Sequence, residues 1–274
     1  MKSFRLFSIF AALVLLTSLG ACATAPGTQA DYDEASDPLE SANRVIFDFN
    51  HFVDRILLRP AAWVYREVMP DFAQDVVHNI LQNSNEPIVF MNAVLQGRVK
   101  DAGKTFNRFL VNSIAGLGGV ADLASEGGVL PVDADFGQTL HVWGLPEGPY
   151  LVLPILGPSN PRDVVGFAVD TIASPWSYVV EATGGVETRN HYIIADLTAT
   201  MLDKRSRSID ALDALEKSSV DFYAQLRSVS RQYRHKQIGM TVQNSDIGKI
   251  TFDRKEEEGQ SAAPATEGAQ PLRK

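Results

Sequence analysis

Hydrophobic residues recur at helical spacing near the start of the chain. Between residues 39 and 57 they come every three or four positions, on one face of an α-helix. They are Leu39, Ala42, Val45, Ile46, Phe49, Phe52, Val53, Ile56 and Leu57. Asp37-Pro38-Leu39-Glu40 predicts the helix start, with Asp37 as N-cap. Arg59-Pro60 predicts the helix end, because a residue before proline disfavours helical geometry.

Three further helices are predicted before residue 115. The apolar pattern repeats over residues 71–81. Glu86-Pro87 predicts the start of the next helix, and Gly97 predicts its end. The last helix is expected from Val99 to Ile114, because its apolar residues again share one side.

The middle of the chain, residues 116–161, is rich in glycine and proline. It predicts turns and extended pieces, with short helices at residues 120–124 and 136–142. Asn160-Pro161-Arg162-Asp163 then predicts a cap for a helix over residues 164–173, which Ser174-Pro175-Trp176 ends. Residues 186–237 predict either one helix broken near Lys217-Ser218-Ser219 or two helices. Since no stretch shows sustained two-residue alternation, the predicted fold class is all-α with an irregular centre.

One segment of this centre, GPYLVLPILGP at residues 148–158, is unusually apolar. Its three prolines exclude an unbroken helix and argue against a central strand. It is also far shorter than the roughly 20 apolar residues that span a bilayer. The segment is therefore a candidate for contact with lipid, either the bilayer or a bound lipid.

The amino end has the pattern of a secretory signal over residues 1–21. Lys2 and Arg5 precede an apolar run, and small residues follow it. Leu19-Gly20-Ala21-Cys22 resembles the lipobox of bacterial lipoproteins, in which the cysteine is acylated. Cys22 is the single cysteine, so it has no disulfide partner within the chain. The alternative is a plain signal peptide with an incidental cysteine.

Charge and composition divide the rest of the chain. Without Lys2 and Arg5, 23 basic and 33 acidic residues remain, a net charge of −10 that disfavours nucleic acid as a partner. Residues 22–35 are predicted to be a flexible tether, and residues 239–274 a disordered charged tail. Residues 36–238 are predicted to form the helical domain.

No pattern predicts catalysis, a metal site or a cofactor. Gly116-Leu117-Gly118-Gly119-Val120-Ala121 matches a dinucleotide fingerprint, but a helix precedes it where a strand is required. It is better interpreted as a tight turn between helices with close backbone approach. Asp133 and Asp135 are interpreted as caps of the helix starting near Phe136. The five histidines are scattered singly, which disfavours zinc.

The apolar faces leave two interpretations open. In the first, one compact soluble core uses all of them, since most amphipathic stripes are core. Alternatively, the helices lie within one membrane leaflet. The second is favoured because Phe47 and Leu58 lie off the main stripe, and because Trp143, Trp176 and Tyr178 are of types that favour the water–lipid boundary.

An ordered series of motifs resembles the MlaA/VacJ family of outer-membrane lipoproteins. It covers residues 36–200, and residues 200–238 match with fewer motifs. The series is Asp37-Pro38-Leu39-Glu40, Asn43-Arg44, Phe49-Asn50, Arg59-Pro60, Asn83 with Glu86-Pro87, Asn92 with Leu95-Gln96-Gly97, Arg108-Phe109 with Asn112, Gly116 with Gly118-Gly119, Asp122, Phe136-Gly137-Gln138-Thr139-Leu140, Gly144, Gly148-Pro149-Tyr150, Leu153-Pro154, Gly157, Arg162-Asp163 and Glu187-Thr188-Arg189.

The resemblance implies a ring of helices in the inner leaflet of the outer membrane. Its amphipathic pore would pass phospholipids misplaced in the outer leaflet to a soluble periplasmic carrier, MlaC, and trimeric porins would be its membrane partners. We expect Gly116, Gly118 and Gly119 to form a hinge that gates the pore. The residues expected to face lipid are Tyr150, Leu151, Leu153, Ile155 and Leu156. The rival functions are a periplasmic lipid hydrolase and a lipoprotein that only scaffolds porins.

Overall fold

A computed structural model describes residues 37–239 of the chain. The expected signal peptide, Cys22, the tether and all but the first residue of the charged tail lie outside the described residues. Those predictions therefore stay predictions.

The described residues are mostly helical, and the all-α prediction is confirmed. The helices are α1 (Glu40–Val53), a π-helix (Asp54–Leu58), α2 (Arg59–Val68), α3 (Asp71–Leu95), α4 (Val99–Ile114), α5 (Leu123–Glu126), α6 (Phe136–Val142), α7 (Pro161–Ala173), α8 (Pro175–Arg207), α9 (Ile209–Ser218) and α10 (Phe222–Gln237). Two short antiparallel strands, β1 (Leu151–Leu153) and β2 (Gly157–Ser159), form a hairpin in the irregular centre, with Val152 opposite Pro158.

The first helical segment does not end at Arg59-Pro60, and that prediction was wrong. The chain stays helical from α1 through the π-helix into α2. The N–H of Arg59 donates to the carbonyl of Asp54, one residue further back than in an α-helix. This wider turn accommodates Pro60, which has no N–H and would crowd a regular turn. Asp37 is also not the N-cap: Leu39 occupies that position, and no side chain caps the helix.

The two helices predicted over residues 71–97 are one helix, α3, with Pro87 inside it. A proline in a helix removes one backbone hydrogen bond. Here the residues around the proline are buried, among them Asn83, Glu86 and Ile88, and the helix packs along α4. This packing holds the helix through Pro87.

The glycine turn after α4 is a close backbone approach, as predicted. A Cβ on Gly119 would lie 2.6 Å from the Cβ of Asn83, and its φ of +98° is in the left-handed region. The prediction for residues 136–142 is also confirmed, because Asp135 caps α6 by accepting from the N–H of Gln138 at 2.8 Å.

The last third of the chain contains more helices than predicted. Asn160 caps α7 as expected, accepting from the N–H of Asp163 at 2.9 Å. The segment after Gly185, which has non-helical φ and ψ of 79° and 178°, is broken twice. The breaks fall at Ser208 and before Phe222, so residues 186–237 hold three helical pieces rather than one or two.

The described chain closes on itself. Asp37 accepts hydrogen bonds from Tyr223 and Arg227 of α10. Further ion pairs run antiparallel between α1–α2 and the segment from α9 to the start of α10. They are Arg44–Asp221 at 2.6 Å, Arg59–Asp213 at 2.5 Å and Arg66–Asp210 at 3.0 Å. This closure gives the ring-like arrangement of helices that the resemblance implied.

Candidate functional site

A cavity of about 460 Å³ lies between α6, α7, α8, α10 and the hairpin. Its wall is amphipathic. The charged side chains that line it are Asp135, Glu147, Asp163, Asp170, Lys204, Arg231, Arg234 and His235. The aromatic side chains are Tyr150, Phe167 and Tyr233.

Arg234 is the centre of the charged wall. Its guanidinium donates to both oxygens of Asp135, at 2.6 and 2.8 Å, and to both oxygens of Asp163, at 2.8 and 2.8 Å. Burial disfavours the Asp135 carboxylate, but Arg234 more than offsets this, so the pKa of Asp135 lies below its usual value. A Cβ on Gly137 would lie 2.5 Å from Asp163 Oδ1, so glycine is required beside this cluster.

Glu147 and Asp170 occupy contrasting environments in the same wall. Glu147 pairs with His235 at 3.5 Å and Arg231 at 3.2 Å, and these partners hold its pKa below the usual value. Asp170 accepts from Asn92 at 2.8 Å and from the N–H of Phe136 at 2.9 Å. Burial dominates there and raises the pKa of Asp170.

The serines of the cavity are engaged by backbone. Ser159 Oγ donates to its neighbour's carbonyl, that of Asn160, at 3.5 Å. Ser230 Oγ donates to the carbonyl of Arg227 at 3.0 Å. Both hydroxyls are thus directed at backbone carbonyls.

The predicted lipid-facing segment divides into a buried part and an exposed part. Tyr150 is 6% exposed and packs with Phe47 of α1 and Tyr223 of α10, and it also lines the cavity. Its contact with lipid stays a prediction. Leu151 and Leu153 are half-buried. Ile155 and Leu156, at the hairpin tip, are 54% and 45% exposed.

Two asparagines of α1 hold this hairpin, and sequence reasoning treated them only as family motifs. The Asn43 amide donates to the Tyr150 carbonyl at 3.0 Å and accepts from the Val152 N–H at 2.9 Å. Asn50 does the same with the Leu153 carbonyl, at 2.8 Å, and the Ile155 N–H, at 2.7 Å. Their seven-residue spacing, two helical turns, was the available signal.

Behind the glycine turn lies a buried ionic cluster centred on Arg108, which is 1% exposed. Arg108 donates to Glu86 at 2.8 Å and to Asp122 at 3.1 Å. It also donates to Ser125 Oγ at 2.8 Å and the Val129 carbonyl at 2.6 Å. These bonds tie the segment after Gly116, Gly118 and Gly119 to α3 and α4. The role of these three glycines as a hinge stays a prediction.

Many large apolar side chains are exposed. They are spread over most of the described helices and the hairpin tip, and include Phe49, Phe52, Ile56, Leu57, Trp63, Phe72, Val99, Ile114, Ile155, Leu156, Ile172 and Ile194. Exposed apolar area of this extent marks a surface that binds protein or membrane. Among residues 37–239, no helix is both long and apolar enough to cross a membrane.

Comparison with known proteins gives one consistent family. The family model described as MlaA lipoprotein matches residues 35–237. The intermembrane phospholipid transport system lipoprotein MlaA of Haemophilus influenzae is 34% identical over 66% of this chain and 77% of its own length. Its Escherichia coli K12 counterpart, of the same name, is 33% identical over 68% of this chain and 77% of its own length.

A solved structure agrees with these relatives. It is reported as "Structural basis for maintenance of bacterial outer membrane lipid asymmetry". It superposes with a TM-score of 0.64 at 30% identity and covers 74% of this chain and 99% of its own. The chain therefore belongs to the MlaA lipoprotein family.

Proposed function

We propose that this lipoprotein removes mislocalised phospholipids from the outer leaflet of the outer membrane and hands them towards the periplasm. The observation that carries the proposal is a cavity with a charged wall in a helical fold that exposes many large apolar side chains. A phospholipid in transit requires a polar route for its headgroup and apolar walls for its chains. The phospholipid transport named for the two relatives supports the same function.

The anchor we propose is acylated Cys22, at the periplasmic side of the outer membrane. Several acyl chains hold a protein stably to a bilayer, at about 0.8 kcal/mol per buried CH₂. The apolar faces of α1 to α4 then lie in the inner leaflet, with Leu151, Leu153, Ile155 and Leu156 among the lipid-facing residues. Backbone polar groups stay inside the helices or line the cavity, as lipid requires.

Two partners follow from this location. Trimeric porins would contact the apolar outer surface within the membrane. The soluble carrier MlaC would receive the lipid on the periplasmic side. The process involves no covalent chemistry, which agrees with the serine hydroxyls of the cavity being bonded to backbone.

The glycine turn is the hinge of the proposed gate. Movement at Gly116, Gly118 and Gly119 would shift the segment that Arg108 holds against α3 and α4. A disulfide that locks this segment to a neighbouring helix should stop lipid transport, and reduction should restore it. Unchanged transport in the oxidised protein would contradict gating and leave transport itself intact.

The test of the function is outer-leaflet phospholipid in a strain lacking the gene. Exposed phospholipid should rise in the deletion strain and fall again on complementation with the wild type. Complementation with Cys22→Ala should fail, although the protein is made. Normal asymmetry in the deletion strain would refute transport and favour a porin scaffold. Release of fatty acid from labelled phospholipid by the purified protein would instead favour a hydrolase.

A further inference from the structure

The cations of the cavity differ in how completely carboxylates neutralise them. Arg234 is engaged by Asp135 and Asp163, and Glu147 is shared by Arg231 and His235. Lys204, in the last turn of α8, lines the same cavity. Within residues 37–239, its ammonium has no ion pair or hydrogen bond.

The two residues adjacent to Lys204 in the chain have partners on other elements. Asp203 is buried and pairs with His78 of α3 at 2.8 Å. Arg205 pairs with Asp54 of the π-helix at 2.7 Å. Both neighbours are thus held by α3 and the π-helix, whereas Lys204 is exposed and lines the cavity.

The wall around Lys204 suits one kind of anion. Phe167 and Tyr233 line the cavity and are each about half exposed, which offers apolar contact beside the ammonium. Carboxylates outnumber the lysine and arginine side chains of the wall. Such a wall disfavours a dianion such as inorganic phosphate, whereas a phosphodiester carries a single negative charge and an apolar body.

We propose that Lys204 is the phosphate contact of the cavity, and that its ammonium binds the phosphodiester of a phospholipid headgroup in transit. Lysine is a compact point charge that suits phosphate. This inference rests on the proposed function and names the residue that recognises the cargo.

The test uses the full-length acylated chain in detergent. The probe is dihexanoyl phosphatidylethanolamine, and its binding is measured by isothermal titration calorimetry. Lys204→Ala and Lys204→Glu should weaken binding by about tenfold or more, as loss of one charge-assisted hydrogen bond predicts. Lys204→Arg should bind as the wild type does. The matched control is Lys236→Glu, because Lys236 is exposed on α10 and lies outside the cavity lining.

The outcomes separate this inference from the function on which it rests. Wild-type binding that Lys204→Ala, Lys204→Glu and Lys236→Glu all leave unchanged would overturn the role of Lys204, while phospholipid binding would stand. A wild type that binds no lipid probe would overturn both. Inorganic phosphate is the competing ligand: if it displaces the probe at comparable concentration, the site takes free phosphate and the inference is wrong. Circular dichroism confirms that each variant is folded.

Discussion

Single buried polar side chains connect distant segments of this protein, alongside the aromatic cluster of Phe47, Tyr150 and Tyr223. Asn43 is buried and serves both a carbonyl and an N–H of the hairpin, and it also donates to Asp37 at 2.7 Å. A buried polar group left without its partner costs about 1–3 kcal/mol. The buried Asn43 amide is therefore expected to contribute strongly to the position of the hairpin against α1.

Asn43→Ala should lower the free energy of unfolding by about 3 kcal/mol, because it leaves two backbone groups of the hairpin unsatisfied. Asn50→Ala is the matched control. It makes equivalent bonds to the hairpin, but Asn50 is only half-buried, so the backbone groups that it leaves are less completely desolvated and about 1 kcal/mol is expected. Urea unfolding of the detergent-solubilised chain measures both. Equal effects of the two substitutions would contradict the role assigned to burial.

Arg108→Met should be more damaging, because it leaves the buried Glu86 carboxylate without its cation. Burial raises the pKa of Glu86 even in the wild type, and Asp122 adds a further negative charge. Breaking a buried ion pair costs about 3–5 kcal/mol. In the variant, the folded pKa of Glu86 rises further above its unfolded value, so protonation on acidification should recover stability.

The measurement is unfolding of Arg108→Met and the wild type at pH 7 and pH 5. The difference in free energy of unfolding between the variant and the wild type should be smaller at pH 5 than at pH 7. The double variant Arg108→Met, Glu86→Gln removes the titrating group and should lose this pH dependence. A gap that stays constant with pH in the single variant would show that Glu86 is not the source of the loss.

At the scale of elements, helices with one continuous apolar face were predictable and helices containing proline were not. Val99–Ile114 was predicted correctly, since its periodicity is regular and Gly97 precedes it. The sequence-based expectation that proline ends a helix considers only the backbone hydrogen bond that is lost. It does not include the π-helix before Pro60 or the burial around Pro87, which keep both helices intact.

The hairpin and the cavity could not be predicted from local pattern. Each strand has three residues, too few to show alternation, and β1 is held by amides from a distant helix. The burial of Tyr150 depends on Tyr223, far along the chain. The cavity gathers its charged side chains from five segments of the chain. Of these side chains, only Asp135, as a helix cap, and Asp163, as part of a motif, were singled out from the sequence.

The attachment of α10 through Arg234 should depend on pH. The folded pKa of Asp135 lies below its unfolded value of about 3.9. The stability that the Asp135 carboxylate contributes is therefore fully present above the unfolded pKa, and it is lost as the pH falls through the folded pKa. Arg234→Met removes this contribution, so its melting temperature should lie furthest below that of the wild type at pH 7, with a smaller difference at pH 3.

Thermal unfolding at pH 7, 5 and 3 measures the effect. Arg66→Met is the control, because it breaks a pair whose Asp210 side chain is largely exposed. Such pairs contribute about 0–1 kcal/mol, so little change is expected at any pH. If Arg234→Met lowers the melting temperature equally at all three pH values, titration of Asp135 is not the cause of the loss.

For the molecule as a whole, the apolar surface and the anchor should act together on membrane association. Phe52 is exposed on α1, so Phe52→Glu should leave stability in detergent almost unchanged and weaken membrane binding. In a Cys22→Ala background, where the anchor no longer masks the effect, carbonate extraction should release more of the Phe52→Glu protein. Ser41→Glu, at an exposed polar position of the same helix, is the control. Equal release of both variants would argue against burial of this face in lipid.

The contact between Asp37 and α10 also determines how late in biogenesis the fold can close. The partners of Asp37, Tyr223 and Arg227, lie 186 and 190 residues later in the chain. In the proposed export from the amino end, α1 would emerge long before α10 is available, and its aromatic face would stay uncovered during translocation. Such long-range contacts form late, and the folding intermediates that precede them expose hydrophobic surface and are prone to aggregate. We therefore expect a chaperone to protect the exported chain before α10 arrives, and chains truncated before α10 should be cleared by proteases.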